Sequence, residues 1–287
     1  MLKQRIITAI SLLIGLIATT TQLSLFNFTL FISLVVILAS WEWGGFIGLK
    51  ESSAKLTYSL TIAAMIIGLY FILDISTRDS SVDFVRASIL LGLGLLFWIL
   101  MVFVLAGYPE NKSAWNNESK IACMGMLALV PSWVGLVVLK SLEEAGLLVL
   151  ALVILVAAVD IGAYFAGVNF GSRKLAPNLS PKKTWEGVWG GFALCAVISV
   201  AMIWAANSYF LDLTSAQMVV LFFLAPLTTF FSVIGDLLES MLKRNQNIKD
   251  SGRLLPGHGG ILDRIDSLVA TAPPFVLLLV FMMTEAS

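Results

Sequence analysis

Apolar runs long enough to cross a bilayer recur along the whole chain, separated by short polar segments. About twenty consecutive apolar residues span a hydrocarbon core as a helix. Nine stretches meet that measure: roughly 6–22, 26–47, 57–74, 87–107, 121–139, 145–168, 187–207, 215–235 and 265–284. They predict an all-α integral membrane protein, a polytopic bundle of about nine transmembrane helices. The start, Met1-Leu2-Lys3-Gln4-Arg5 before an apolar run, has the form of a signal peptide. No A-x-A site follows, so it is read as an uncleaved first helix. Pro131, Pro226 and Pro273-Pro274 fall inside spans and predict kinks or broken helices. The chain has no convincing internal repeat and no low-complexity linker.

Composition agrees with the pattern. The chain is 59% hydrophobic with mean hydropathy +0.94, above the roughly 45–50% apolar content of soluble domains. Net charge is zero, so no overall field recruits nucleic acid. Cys123 and Cys195 both lie in apolar runs and suit small hydrophobes in the bundle better than a disulfide framework or a metal cluster. Basic residues add an orientation. With nine spans, 15 of the 18 Lys and Arg residues share the side of the N-terminus, and Arg78, Arg86 and Lys140 take the other. The positive-inside rule makes the first side cytoplasmic and places the C-terminus on the opposite side. Setting aside the nine basic residues of the two most polar loops leaves six against three, the same direction with less weight.

One segment stands out against this apolar background. Residues 236–266 hold ten charges, five of each sign, and the only histidine, His258. Asp236, Glu239, Ser240 and Lys243 fall at offsets 0, 3, 4 and 7, one stripe of a helix. Asp263 and Asp266, three apart, share a face if helical. Between them, Pro256-Gly257-His258-Gly259-Gly260 reads as a tight turn. Carboxylate pairs are hard ligands for Mg²⁺, which leaves positions for substrate phosphates. Lys243, Arg244 and Lys249 can neutralise phosphate, and Gly259 and Gly260 allow backbone N–H groups close to an anion. No GK[ST] follows the glycines, so this is not a Walker loop. On charge alone, a solvated, salt-bridged loop between two membrane helices is the better reading.

Residue order changes that balance. The pattern S-x-x-K-R-x-x-x-x-K-D-x-G-x-x-L-P-G-H-G-G-x-x-D-R-x-D, spelled by Ser240 to Asp266, resembles the signature of the CDP-diacylglycerol synthase (phosphatidate cytidylyltransferase) family, bacterial type. Ser180-Pro181-Lys182-Lys183-Thr184-Trp185-Glu186-Gly187 resembles a second block of it, as does Asp160 with Tyr164 and Gly167. The length and hydropathy of the whole chain fit. The resemblance implies transfer of the cytidylyl group of CTP to phosphatidate at the cell inner (cytoplasmic) membrane. Asp236 and Asp263 would hold the catalytic Mg²⁺, with Asp266 beside them at a second, monovalent or divalent, cation position. Lys243, Arg244, Lys182 and Lys183 would neutralise phosphates and Thr184 would donate its hydroxyl. Ser180, Lys249, His258, Gly259, Gly260, Arg264 and Asp160 would complete the substrate site, and the family habit implies a homodimer. The division that follows is 1–110 for the first four helices and 111–287 for the catalytic region, with active loops 169–187 and 236–266.

Three single residues stand apart. Asp160 follows fifteen uncharged residues inside a span; a carboxylate there costs about 2.5–3.5 kcal/mol, so it should face the bundle or a wet cavity. Trp41 and Trp43 read as interfacial anchors, with Glu42 a headgroup-level charge between them, although a similar W-E-W occurs in the resembled family. His258 is not assigned as a base: a phosphate monoester with a second pKa near 6 is already largely dianionic, and this chemistry needs charge neutralisation and in-line positioning. Two other classes share some of these features. A CTP-dependent polyprenol or phytol kinase would share the bundle and much of the site. An ion-coupled transporter would explain intramembrane carboxylates but not the SPKKT and PGHGG loops.

Overall fold

The computed structural model describes residues 14–75, 81–209, 211–255, 257 and 259–284. After a helical stretch at 14–22, the elements are α1 (Leu25–Ile47), α2 (Ser52–Ile72), α3 (Phe84–Ala106), the single turn α4 (Lys112–Trp115), α5 (Glu118–Leu142) and α6 (Leu147–Phe170). A two-stranded hairpin, β1 (Lys174–Ala176) and β2 (Ser180–Thr184), precedes α7 (Trp185–Tyr209), α8 (Ser215–Phe222), α9 (Leu224–Asn245) and α10 (Leu262–Thr284). Eight helical segments among the described residues are long and apolar enough to cross a membrane, with α8 and α9 counted as one. Of the first expected span, only residues 14–22 are described; they are helical.

The element ends follow local chemistry. Ser24 accepts a hydrogen bond from the Asn27 amide at the start of α1, and Asp83 does the same for Arg86 on α3. Gly48, at φ +95°, closes α1 in the left-handed region. α5 is the central helix, with Trp133, Val134, Val137, Val138 and Leu139 fully buried, and it packs against α1, α3 and α10. Small residues set the closest crossings. A Cβ on Gly162 of α6 would lie within van der Waals overlap of the Gly190 carbonyl and Gly191 of α7. A Cβ on Gly235 of α9 would stand 2.5 Å from the Asp266 carbonyl and 2.8 Å from the Ala270 side chain on α10.

Several boundaries differ from the sequence reading. The eighth span was expected to stop at residue 235, yet α9 continues to Asn245, so the first ten residues of the expected loop 236–266 are helix. Asp236, Glu239 and Lys243 share one face, and Asp236 and Lys243 find partners on β2 and α10, so nothing forces the helix to end. The expected break near Pro226 falls at Phe223, and Pro226 sits in the first turn of α9, where a missing N–H costs little. Pro131 and Pro273-Pro274 lie inside helices that run on through them. Trp43 is buried, its Nε1 donating to the Ile121 carbonyl at 2.9 Å, so it anchors α1 to α5 and not to an interface. Cys195 is buried in the bundle, whereas Cys123 is exposed on its outside.

Polar cross-links gather the loops at one end. Gln246 Nε2 donates to the Phe46 carbonyl at 2.8 Å, Asn245 Nδ2 to Asn116 Oδ1 at 2.7 Å, and Arg244 Nε to the Leu179 carbonyl at 3.4 Å. Thus α9 leads straight into the ends of α1, the turn before α5, and the β hairpin. At the far end, buried Lys140 donates to the Thr20 carbonyl at 2.6 Å and to the Glu144 carbonyl, tying residue 20 to the α5–α6 turn.

Candidate active site

The α9 stripe supplies the first wall. Lys243 Nζ lies 2.6 Å from Glu239 Oε2 one turn back and 2.8 Å from Asp263 Oδ1 across on α10. The other Asp263 oxygen, Oδ2, accepts from the Ser251 amide at 2.9 Å and the Gly260 amide at 2.8 Å. Ser251 Oγ stands 3.0 Å from both Asp263 Oδ2 and Glu42 Oε2, one hydroxyl proton between two carboxylates. Glu42 Oε2 also accepts the Leu262 amide at 2.9 Å, at the first residue of α10. A carboxylate from α1 therefore fixes the loop that holds a carboxylate on α10.

The hairpin supplies the second wall. β1 and β2 are antiparallel, with Lys174 opposite Thr184 and Ala176 opposite Ser180. Glu186 receives the Ser172 amide, the Ser172 hydroxyl at 2.7 Å and the Arg173 amide, and so closes the loop onto the start of α7. Thr184 Oγ1 accepts the Gly187 amide at 3.2 Å. This geometry lets Lys183 reach across the cleft, its Nζ 2.5 Å from Asp236 Oδ2. Asp160, Ala163, Tyr164 and Gly167 complete the lining from one face of α6.

The cleft between these walls, open on one side, is about 740 Å³, within the range of small-molecule sites. It brings together Asp160, Lys182, Lys183, Thr184, Asp236, Lys243, Asp263, Arg264 and Asp266 of the residues read from sequence. It adds Lys174, Glu239 and Asp250. Ser180 and Arg244 stand at the hairpin outside the lining, and Lys249 lines a different cleft. Gly259, at φ +84°, shapes the turn, while the Gly260 amide meets the protein's own Asp263 carboxylate. A Cβ on Gly260 would overlap Ser251 Oγ and Glu42 Oε2, so glycine is required there by packing. His258 lies outside the described residues.

Glu42, Glu239 and Ser251 were not read as site residues. Glu239 was visible on the stripe with Asp236 and Lys243. Glu42 carried the same signal as Asp160, a lone carboxylate in an apolar run, but its partners lie 209 and 220 residues away.

The donor chemistry suits a hard divalent cation. Five cations in the lining face six carboxylates, and Glu239 Oε1 is buried without a hydrogen-bond partner. Among the described residues no three carboxylates are gathered into a ready-made cage.

Bundle and cleft together define a polytopic helical membrane protein with a charged, cation-compatible site at one end. The model of the cytidylyltransferase family matches residues 3–282, and the chain belongs to that family. It is similar to the phosphatidate cytidylyltransferase of Pseudomonas aeruginosa, 42% identical over 279 residues covering 97% of each chain. The enzyme of that name from Haemophilus influenzae is 35% identical over 287 residues, 96% of this chain and 97% of its own. That from Bacillus subtilis is 33% identical over 193 residues, 64% and 66% of the two chains.

Proposed function

We propose that this chain is a phosphatidate cytidylyltransferase of the bacterial cytoplasmic membrane. It joins CTP to phosphatidate, releasing pyrophosphate and leaving CDP-diacylglycerol in the bilayer. A phosphate oxygen of phosphatidate attacks the α-phosphorus of CTP. The new P–O bond forms as the bond from that phosphorus to the bridging oxygen of the β-phosphate breaks, and the electron pair leaves with pyrophosphate. The nucleophile is an anion, so no base is needed; what the site must supply is positive charge and alignment.

The observation that carries this reading is the placing of Lys183 against Asp236 and Lys243 against Asp263 on facing walls of one cleft. Asp236 and Asp263 would hold Mg²⁺, with Asp266 beside them at a second cation position. When bound, the ion would neutralise the triphosphate and polarise the α-phosphoryl group. Lys182, Lys183, Lys243 and Arg264 bring charge to the phosphates, and Asp160 with Tyr164 borders the side of the cleft made by α6. The cleft faces the cytoplasm, where CTP is found; support comes from the excess of Lys and Arg on that side. By resemblance the working form is a homodimer.

The test is the fate of label. CTP labelled at the α-phosphorus should pass label to lipid, and CTP labelled at the γ-phosphorus should release it as pyrophosphate. Lipid carrying γ-label, with CDP released, would replace this reading with a lipid kinase.

A further inference from the structure

A second cleft of about 560 Å³ lies on the other side of the 248–253 segment, lined by the ends of α1 and α2, by Gln246 and by residues 248–253. Its lining carries Lys50, Lys55, Lys249 and Arg253 against a single carboxylate, Asp250. The contrast with the catalytic cleft is sharp. There, five cations meet six carboxylates, and two of the five, Lys183 and Lys243, each sit on one. Here, none of the four cations makes an ion pair or a side-chain hydrogen bond among the described residues. Four like charges around one concavity raise each other's energy, and an anion placed between them relieves it.

The wall is also bare. Gly45, Gly48 and Gly252 line it without side chains, and a Cβ on Gly45 would stand 3.8 Å from Lys55 Nζ. At these three positions no side chain screens the ammonium groups from a ligand. Two of the lining cations stand at helix ends, Lys50 just after α1 and Lys55 in the first turn of α2. Such membrane-edge positions place basic side chains at the depth of lipid phosphates.

We infer that this second cleft binds a phosphate-bearing anion, held by Lys50, Lys55, Lys249 and Arg253 and separate from the catalytic cleft. The phosphate can come from an anionic lipid headgroup or from a free polyphosphate, because both offer the same oxygens to the same cations. The site does not depend on the reaction proposed above, but it has a route to the reaction centre. Asp250 lines both clefts, and the next residue, Ser251, holds Asp263 through its amide and hydroxyl. A ligand that draws Lys249 and Arg253 inward moves the segment that positions that carboxylate.

Titration of inorganic pyrophosphate into the purified full chain tests the free-anion source. It should show two binding events, one lost in Lys183→Gln and the other weakened roughly tenfold or more in Lys50→Gln/Lys55→Gln. Native mass spectrometry after exchange into phosphatidylcholine with added phosphatidylglycerol tests the lipid source. One retained phosphatidylglycerol should be lost in the same double variant. Arg253→Gln, an exposed change on the opposite wall, should repeat the loss and carries the test if the double variant does not fold. Loss of either probe supports the site and names its source. Unchanged binding of both probes in the folded variants overturns it.

Discussion

Lys183 and Lys243 hold similar partners in different surroundings. The Lys183–Asp236 pair is about a quarter to a third exposed, whereas the Asp263 side chain facing Lys243 is 8% exposed and takes hydrogen bonds on both oxygens. Removing one member of a buried pair strands the other. Asp236→Asn and Asp263→Asn should each lower turnover on the order of a hundredfold or more, since each loses a charge the phosphates and cation require. Both should remain folded in detergent, with Asp263→Asn the less heat-resistant of the two. His258→Ala should retain measurably more activity than either. Steady-state assays with a thermal melt on each variant decide this; a His258→Ala enzyme as inactive as Asp236→Asn with cation binding intact would reinstate a base.

At the scale of elements, the site depends on how closely α9 approaches α10. Gly235 allows it, one residue before Asp236, against the backbone of Asp266. Gly235→Val should force the two helices apart, costing about 1–3 kcal/mol in overpacking and a larger share of activity, because Asp236 and Asp266 separate as the helices do. A melt and an assay on that variant check it; full activity would mean the crossing does not set the site. The same crossing explains what the sequence made legible. Apolar runs announced most helices to within a few residues, because a bilayer demands length and little else. The stripe of Asp236, Glu239 and Lys243 was legible as helical, yet the end of α9 was misplaced by ten residues. Charge signals a loop only while it lacks partners, and Lys183, Asp263 and Ser251 come from elsewhere in the chain. Pro177 and Pro181 disfavour helix between α6 and α7 but do not specify a hairpin; its register comes from Glu186 and Thr184 closing the loop.

For the whole molecule, the loops after α1, before α5, around the hairpin and after α9 are knit together at one end, and the turn holding Glu143 and Glu144 lies at the other. Lys249→Cys and Glu144→Cys, each placed on a background lacking Cys123 and Cys195, should therefore react with an impermeant thiol reagent from opposite sides of the membrane. The first should be protected in intact cells and the second labelled. Labelling of both from one side would refute the proposed topology.

Glu42 carries a consequence for how the protein is made. It belongs to the first long helix described, yet Ser251 and Leu262 follow it by 209 and 220 residues. At about 5–20 residues per second, a ribosome needs roughly 10–40 s to reach them. Through that interval the helix has a carboxylate at one end with its final neighbours still unmade, which favours a nascent bundle left ajar on that side. Arrival of the last helix then closes the gap and completes the site in one event. A chain cut short before that helix would be inserted in the membrane but inert, so half-made copies cannot consume nucleotide.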